Sequence, residues 1–345
     1  MPGTDQTLLV RADANRTIGT GHVMRCLALA EAWQTAGGRV VFVSVEMTRA
    51  LQERLQGRGH RFVGLAAVPG SAEDAAQVGA LARSHSVKWV VADGNGFGSV
   101  WQCGIKQAGL RILQFDDYGQ LSPYCSDVIV NPNLDAVPEF YTRRAPYTRL
   151  LLGSRYVQLR SEFLAWRGWV RPQQAAHRQV LITFGGSDPD NLTADAMGAV
   201  AGLPGMTATV VVGAANPRQD ELRALAGTWA GRMRCVQDVA DMPSLMAAVD
   251  LAIICAGGTL WECLYMQLPT LSFVRDAVQE RVVRSLASRG LVWCLGDAAG
   301  ASSQRIRAAI EEVARAAVPR EAARVACRGI VDGEGSARVL ALLKD

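Results

Sequence analysis

Most of the signals that reveal a function quickly are missing from this chain. It has four histidines in 345 residues, His22, His60, His85 and His177. None stands at ligand spacing from another histidine or a cysteine, which excludes a His-rich metal site. Its eight cysteines are scattered, and none forms a CxxC. Several lie in apolar runs such as Leu251-Ala-Ile-Ile-Cys255, the pattern of buried free thiols in a reducing cytoplasm rather than of a metal cluster. No apolar stretch approaches the roughly 18 residues of a membrane span. Residues 1–7 lack the basic-then-apolar order of a secretory leader, so the chain reads as cytoplasmic. The net charge is +4, from 36 basic and 32 acidic side chains, without a dense Lys/Arg run. A nucleic-acid partner is therefore not expected.

What is present is an ordinary globular balance, 49% apolar and 20% charged, enough to build buried cores. At about 150 residues per domain the length predicts two domains. In the first half, strands are expected at 8–10, 40–45, 89–92 and 112–115. A helix is expected over 22–36, where Val23, Cys26, Leu27, Leu29, Ala30 and Trp33 recur at three- and four-residue spacing. Residues 131–179 break the rhythm with Pro132, Pro138, Pro146 and Pro172 and read as a linker region, with the domain boundary near Arg171. Strands are then expected at 180–184, 207–212, 251–255 and 270–274, and helices from about 192 and over 260–266. From 302 onward the chain reads as helical, broken near Gly333 and Gly335. Short buried strands alternating with helices predict an α/β protein with two Rossmann-like parallel-sheet domains, 1–170 and 171–345, the last helix packing back on the first.

In such sheets ligands bind beyond the carboxyl ends of the strands. Three glycine turns are placed there: Gly19-Thr-Gly21, Gly185-Gly186-Ser187 and Gly257-Gly258-Thr259. Glycine lets a ligand approach the backbone, and free N–H groups at a helix start attract anions, so a phosphate-bearing ligand is indicated. Two nucleotide motifs are excluded. Met24 stands where GxGxxG needs its third glycine, and no Walker GK[ST] occurs. His22 follows Gly21 at the start of the first helix. That position disfavours imidazolium, so a neutral ring able to accept a proton is expected. Asp13, at the end of the same strand, either orients the ring or caps the turn. Glu262, three residues after Thr259, is placed either to accept from ribose hydroxyls or to balance the helix dipole. Asp188 and Asn191 suit turn and cap chemistry.

The run Arg11-Ala-Asp-Ala-Asn-Arg-Thr-Ile-Gly-Thr-Gly-His-Val-Met-Arg-Cys-Leu-Ala-Leu-Ala30 resembles the N-terminal signature of the PseG/SpsG family. These are hydrolases of a UDP-diacetamido-trideoxy sugar in pseudaminic acid biosynthesis, with a two-domain GT-B fold related to MurG. The resemblance continues through Asp93, Phe115-Asp-Asp117, Gly153, Tyr156, Leu159-Arg160, Glu162-Phe163, Phe184-Gly-Gly-Ser-Asp188, Ala256-Gly-Gly-Thr-Leu-Trp-Glu262 and Leu268-Pro269, covering most of the chain.

The resemblance implies two lobes facing across a cleft, with His22 as the base that activates water. It implies Gly257, Gly258 and Thr259 as the pyrophosphate turn and Glu262 as the acidic residue facing the ribose. Gly19, Gly21, Arg25, Asp93, Asn95, Gly185, Gly186, Ser187 and Gln279 fall at substrate-facing positions. No metal or cofactor is implied, and no oligomeric state. Two positions depart from the pattern: Asn95 where a sugar-pocket tyrosine is usual, and Val278 in Asp276-Ala-Val-Gln279 where Asn is usual. The expected activity is inverting hydrolysis of a UDP-activated amino-deoxy sugar. A glycosyltransferase on the same scaffold and a non-catalytic nucleotide-sugar-binding protein are the alternatives.

Overall fold

The computed structural model describes residues 6–15, 18–172, 178–229, 231–237, 239–315 and 317–343. His177, Arg16 and Thr17 lie outside the described residues. The chain divides into two compact units, one formed by residues 1–161 with 334–345 and the other by 162–333.

The first unit is built on a seven-stranded sheet of β1 (Thr7–Ala12), β2 (Arg39–Ser44), β3 (Arg61–Gly64), β4 (Trp89–Asp93), β5 (Arg111–Phe115), β6 (Val128–Asn131) and β7 (Arg149–Leu152). The order is β3-β2-β1-β4-β5-β6-β7, and every pairing is parallel. The central strands are apolar on both faces because helices cover both faces. Leu8, Val10 and Ala12 pack with the helix Gly21–Thr35 and with Val339, Leu340 and Leu343 of the helix Gly335–Leu343. Leu9, Val41, Val43, Val90 and Ala92 pack on the other side with Ala75, Val78 and Trp101. β1 and β4 are neighbours although the chain runs from β1 to β2, so the direction of winding reverses between them. That is the topological switch point, where open α/β sheets take their ligands.

The second unit repeats the plan with six parallel strands. They are β8 (Gln179–Thr183), β9 (Thr207–Val211), β10 (Met233–Val236), β11 (Leu251–Cys255), β12 (Thr270–Val274) and β13 (Trp293–Asp297), ordered β10-β9-β8-β11-β12-β13. Its switch point lies between β8 and β11. The core around Val180, Ile182, Val210, Leu251, Ile253 and Phe273 is closed by helices that supply Leu192, Met197, Leu222, Ile306 and Ile310.

Two expectations need correction. The proline-rich stretch is not a bare linker, because it contains β7 and the end of β6, which complete the first sheet. The prolines fall in the connections, so they leave the short strand Arg149–Leu152 free to pair. The division between units falls at Ser161/Glu162 and not near Arg171. Arg171 already belongs to the second unit, where its guanidinium donates to the carbonyls of Met246, Val249 and Met266 at 2.6, 2.7 and 3.0 Å.

Candidate active site

At the first switch point, the register of β1 against β4 sets Ala12 opposite Asp93. The helix that follows β1 therefore begins beside the last residue of β4. His22 is the second residue of that helix and Arg25 lies one turn on, so the two share a face. Both reach the fully buried carboxylate of Asp93. His22 Nδ1 lies 2.6 Å from Asp93 Oδ1. Arg25 donates from Nε to Oδ2 at 2.7 Å and from Nη2 to Oδ1 at 2.8 Å. Its third nitrogen, Nη1, donates to Asp117 at 2.8 Å, and its guanidinium covers the Phe115 ring. Asp117 stands two residues past β5. Its neighbour Asp116 shapes that turn, accepting from the N–H groups of Tyr118 and Gly119 and from the Tyr124 hydroxyl.

The electrostatics follow from this chain of contacts. Burial opposes ionisation of Asp93, but the charges and hydrogen bonds of Arg25 and His22 outweigh it and hold the carboxyl at about 2. The Asp93 charge in turn raises the His22 pKa above the ordinary imidazole value, against burial and the positive Arg25. The shift runs opposite to the one expected from the helix N-terminus, because a buried carboxylate lies 2.6 Å away. An ionised Asp93 fixes the proton on Nδ1, so the deprotonated ring carries its lone pair on Nε2. Nε2 has no protein partner among the described residues, and the side chain is 21% exposed. Such a ring can take a proton from a molecule bound above it.

Asp13 takes no part in this arrangement. Its Oδ1 accepts from Arg11 Nη1 at 2.6 Å, Ser44 Oγ at 2.8 Å and the N–H groups of Val45 and Glu46 at 2.8 and 3.2 Å. It neither orients His22 nor caps the Gly19–Gly21 turn. It caps the end of β2 and neutralises a buried arginine. Asp93, read from sequence as substrate-facing, holds the ring instead. Arg25 is committed to two carboxylates, so its guanidinium spends three nitrogens on the protein. Gly19 takes a left-handed φ of 78°, closing the turn from Asn15 with its N–H on the Asn15 carbonyl. Gly21 is exposed at the helix start, where no side chain caps the helix and no acidic residue stands in the first turn. Asn95 lies exposed in the turn after Asp93.

The second unit places its glycine turns at its own switch point. Gly185, Gly186 and Ser187 follow β8. Gly185 has φ 79°, and Gly186 O accepts from the Ala215 N–H at 3.1 Å. Asp188, buried and with φ 42°, accepts from the N–H groups of Leu192 and Thr193 and from the Thr193 hydroxyl. Asp188 therefore caps the helix Leu192–Ala201, whereas Asn191 makes no side-chain cap bond. Gly257, Gly258 and Thr259 follow β11 and open the helix Gly258–Tyr265. The two glycines are exposed, no side chain caps the helix, and its first turn holds no acid. Its N-terminal N–H groups and its dipole are left to an anion. Glu262 is buried in the second turn, too far along to balance the dipole at the helix start. Gln279 uses its side-chain oxygen to accept from the Arg275 N–H at 3.0 Å, and Val278 is buried.

Sequence reasoning assigned no role to Asp117 or Arg275. Asp117 was visible as half of a carboxylate pair after a strand. Arg275, bonded to Asp190 at 2.7 Å and within 3.4 Å of Asp188, gave no sequence signal. Among the described residues no group of three or more His, Cys, Asp or Glu is arranged to hold a metal ion. No described helix is long and apolar enough to cross a membrane.

The structure superposes on MurG of Acinetobacter baumannii with a TM-score of 0.69 at 14% identity, covering 98% of this chain and 99% of that one. Two parallel-sheet units of this kind define a protein of the GT-B fold. Among sequence relatives, SpsG of Bacillus subtilis, a spore coat polysaccharide biosynthesis protein, is 25% identical over 68% of this chain and 69% of its own. The UDP-2,4-diacetamido-2,4,6-trideoxy-beta-L-altropyranose hydrolase of Campylobacter jejuni is 23% identical over 82% of this chain and 97% of its own. An uncharacterized Methanocaldococcus jannaschii protein is 22% identical over 79% of this chain, and the match spans 56% of that longer protein. No family model matches the chain. The relatives and the motifs together support assignment of this chain to the PseG/SpsG family.

Proposed function

We propose that the protein is an enzyme acting on a UDP-activated sugar in the making of a surface or nonulosonic-type polysaccharide, and that its reaction is hydrolysis at the anomeric carbon. The observation that carries this reading is the His22–Asp93 pair. It is a base whose Nδ1 is locked on an ionised carboxylate and whose Nε2 is left without a protein partner. Nε2 takes a proton from water as the water oxygen bonds to the anomeric carbon. The bond from that carbon to the diphosphate oxygen breaks, and its electron pair leaves with UDP. Attack opposite the leaving group inverts the configuration. A diphosphate is stable as an anion, so the departure needs no strong acid. The uncapped N–H groups of Gly257, Gly258 and Thr259 suit the growing charge. In this reading Glu262 serves the nucleotide; the substrate-binding candidates are Gly19, Gly21 and Asn95 in the first unit and Gly185, Gly186, Ser187 and Gln279 in the second. The names of the Campylobacter and Bacillus relatives support a sugar nucleotide and polysaccharide synthesis.

A second reading, transfer to an acceptor hydroxyl, draws support from Asn95 and Val278. Val278 is buried and offers the sugar no polar group. The same Nε2 would then take the acceptor's proton. Incubation of the chain with UDP-, GDP- and CMP-sugars without acceptor separates the readings. Free sugar and UDP at a useful rate are expected of the hydrolase. UDP binding without turnover until an acceptor is added would sink hydrolysis, and binding without turnover under all conditions would sink both.

A further inference from the structure

The cysteines are not the uniform set of buried thiols that their sequence setting predicts. Cys26, Cys255, Cys263 and Cys327 are buried. Burial raises all four thiols, those of Cys255, Cys263 and Cys327 to about 11, 12 and 12. Cys103 is exposed and Cys125 half-buried, and although 22 residues apart they hold their sulfurs 3.7 Å from each other. No other described cysteine pair has its sulfurs bonded to each other.

Both ends of this pair are fixed. Cys103 lies in the interior of the helix Ser99–Gln107. The Cys125 N–H donates to Gln102 Oε1 at 2.6 Å, and Gln102 Nε2 is itself tied to the Phe97 carbonyl at 2.9 Å. The Cys125 carbonyl accepts from the Tyr147 hydroxyl at 3.1 Å. Next to it, Thr148 Oγ1 donates to the Ser126 carbonyl at 2.7 Å. Lys106, one turn beyond Cys103, is clamped by Asp127 at 2.8 Å and stacks on the Tyr147 ring. Two sulfurs whose backbones are held this way need to approach by about 1.7 Å to reach the S–S bond length of about 2.05 Å.

We propose that Cys103 and Cys125 form a reversible dithiol–disulfide site that exchanges with the disulfide of a low-molecular-weight thiol. Cys103, the exposed member, attacks first as a thiolate. It forms a mixed disulfide and releases one small thiolate. Cys125 gives up its proton to solvent and attacks the Cys103 sulfur. The protein S–S bond forms and the second small thiolate leaves. The protein loses two electrons, and the small disulfide gains them to become two thiols. Burial and the neighbouring Cys103 raise the Cys125 thiol despite Lys106, so the exposed Cys103 and not Cys125 makes the first attack. The bridge would tie the helix after β4 to the segment after β5, which carries Asp116 and Asp117.

The test is exposure of the full chain to glutathione disulfide, followed by free-thiol titration and non-reducing peptide mapping. The expected result is a fall from eight free thiols to six, a mass loss of about 2 Da and one cross-link joining the peptides of Cys103 and Cys125. Reductant should restore all eight. Cys125→Ser should stop at a stable glutathione adduct on Cys103, and Cys103→Ser should give no internal bridge. An unchanged thiol count, a glutathione adduct that persists on Cys103 in the unmutated chain, or a cross-link between other cysteines would each overturn the proposal. None of these readouts depends on the sugar-nucleotide reaction.

Discussion

The first unit contains two arginines that each sit between two aspartates, and they serve opposite ends. Arg11, on β1, is fully buried. It donates from Nε and Nη2 to Asp74 and from Nη1 to Asp13. Around it the Trp101 indole N–H and the Gly70 N–H also donate to Asp74, and Arg11 lies over the Phe97 ring. Every strong contact is made inside the protein, so no member of the set is left to meet a ligand. Arg25, on the next helix, makes the same kind of fork between Asp93 and Asp117. There a histidine shares Asp93, its side chain is 21% exposed, and its Nε2 has no partner among the described residues. One ion triad fills a core, and the other holds a titratable ring in a chosen state. Presence of an Arg–Asp network is therefore no sign of function. An incompletely satisfied member is.

The sharpest way to break this comparison is at His22. His22→Ala should lower kcat on the accepted sugar nucleotide about 10²–10⁴-fold while leaving nucleotide affinity nearly unchanged. Near-full turnover would remove the ring from the mechanism. At the sealed triad the loss should appear in stability. Asp74→Ala leaves a buried guanidinium short of a partner and should cost about 3–5 kcal/mol in denaturant unfolding. A cost near zero would show that water or Asp13 replaces the lost carboxylate. The smallest effect is expected at the far end of the open triad. Asp117 contributes to the raised His22 pKa, so Asp117→Asn should move the acid limb of kcat/KM to lower pH by a fraction of a unit, with little change in stability. An unmoved limb would mean that Asp93 alone sets the ring.

The direction of the pH dependence follows from the raised imidazole. A base that must be deprotonated gains activity as pH rises through its folded pKa, which here lies above the ordinary value. The His22–Asp93 ion pair has the opposite dependence. Its stabilisation is fully present below the unfolded imidazole pKa and is lost as pH rises through the folded one. The chain is therefore expected to become more active and slightly less stable across the same window.

Much of the fold was legible because β1, β2, β4, β5, β8, β11 and β12 are buried almost throughout and so read as apolar runs, while β9, buried only at alternate residues, was legible from its Thr, Ala and Val. The other strands gave weaker signals. β3 is an edge strand with no buried residue, and β7 is a four-residue strand inside a proline-rich stretch. His22 and the uncapped glycine turns were legible because they depend on local order along the chain. The partner of His22 was not. Asp13 is near it in sequence, but Asp93 is near it in space through the pairing of β1 with β4, a register that one sequence does not print.

The helix Gly335–Leu343 adds Val339, Leu340 and Leu343 to the core under β1. During synthesis, the ribosome must therefore make all of residues 162–333 before the base-bearing unit receives its final covering element. Until then the core around Leu8, Val10 and Leu27 has the helix Gly21–Thr35 packed on it but lacks Val339, Leu340 and Leu343. A chain stalled before residue 335 would keep the β1–β4 register that sets the helix of His22 beside Asp93, but would leave the core beneath that helix incompletely packed.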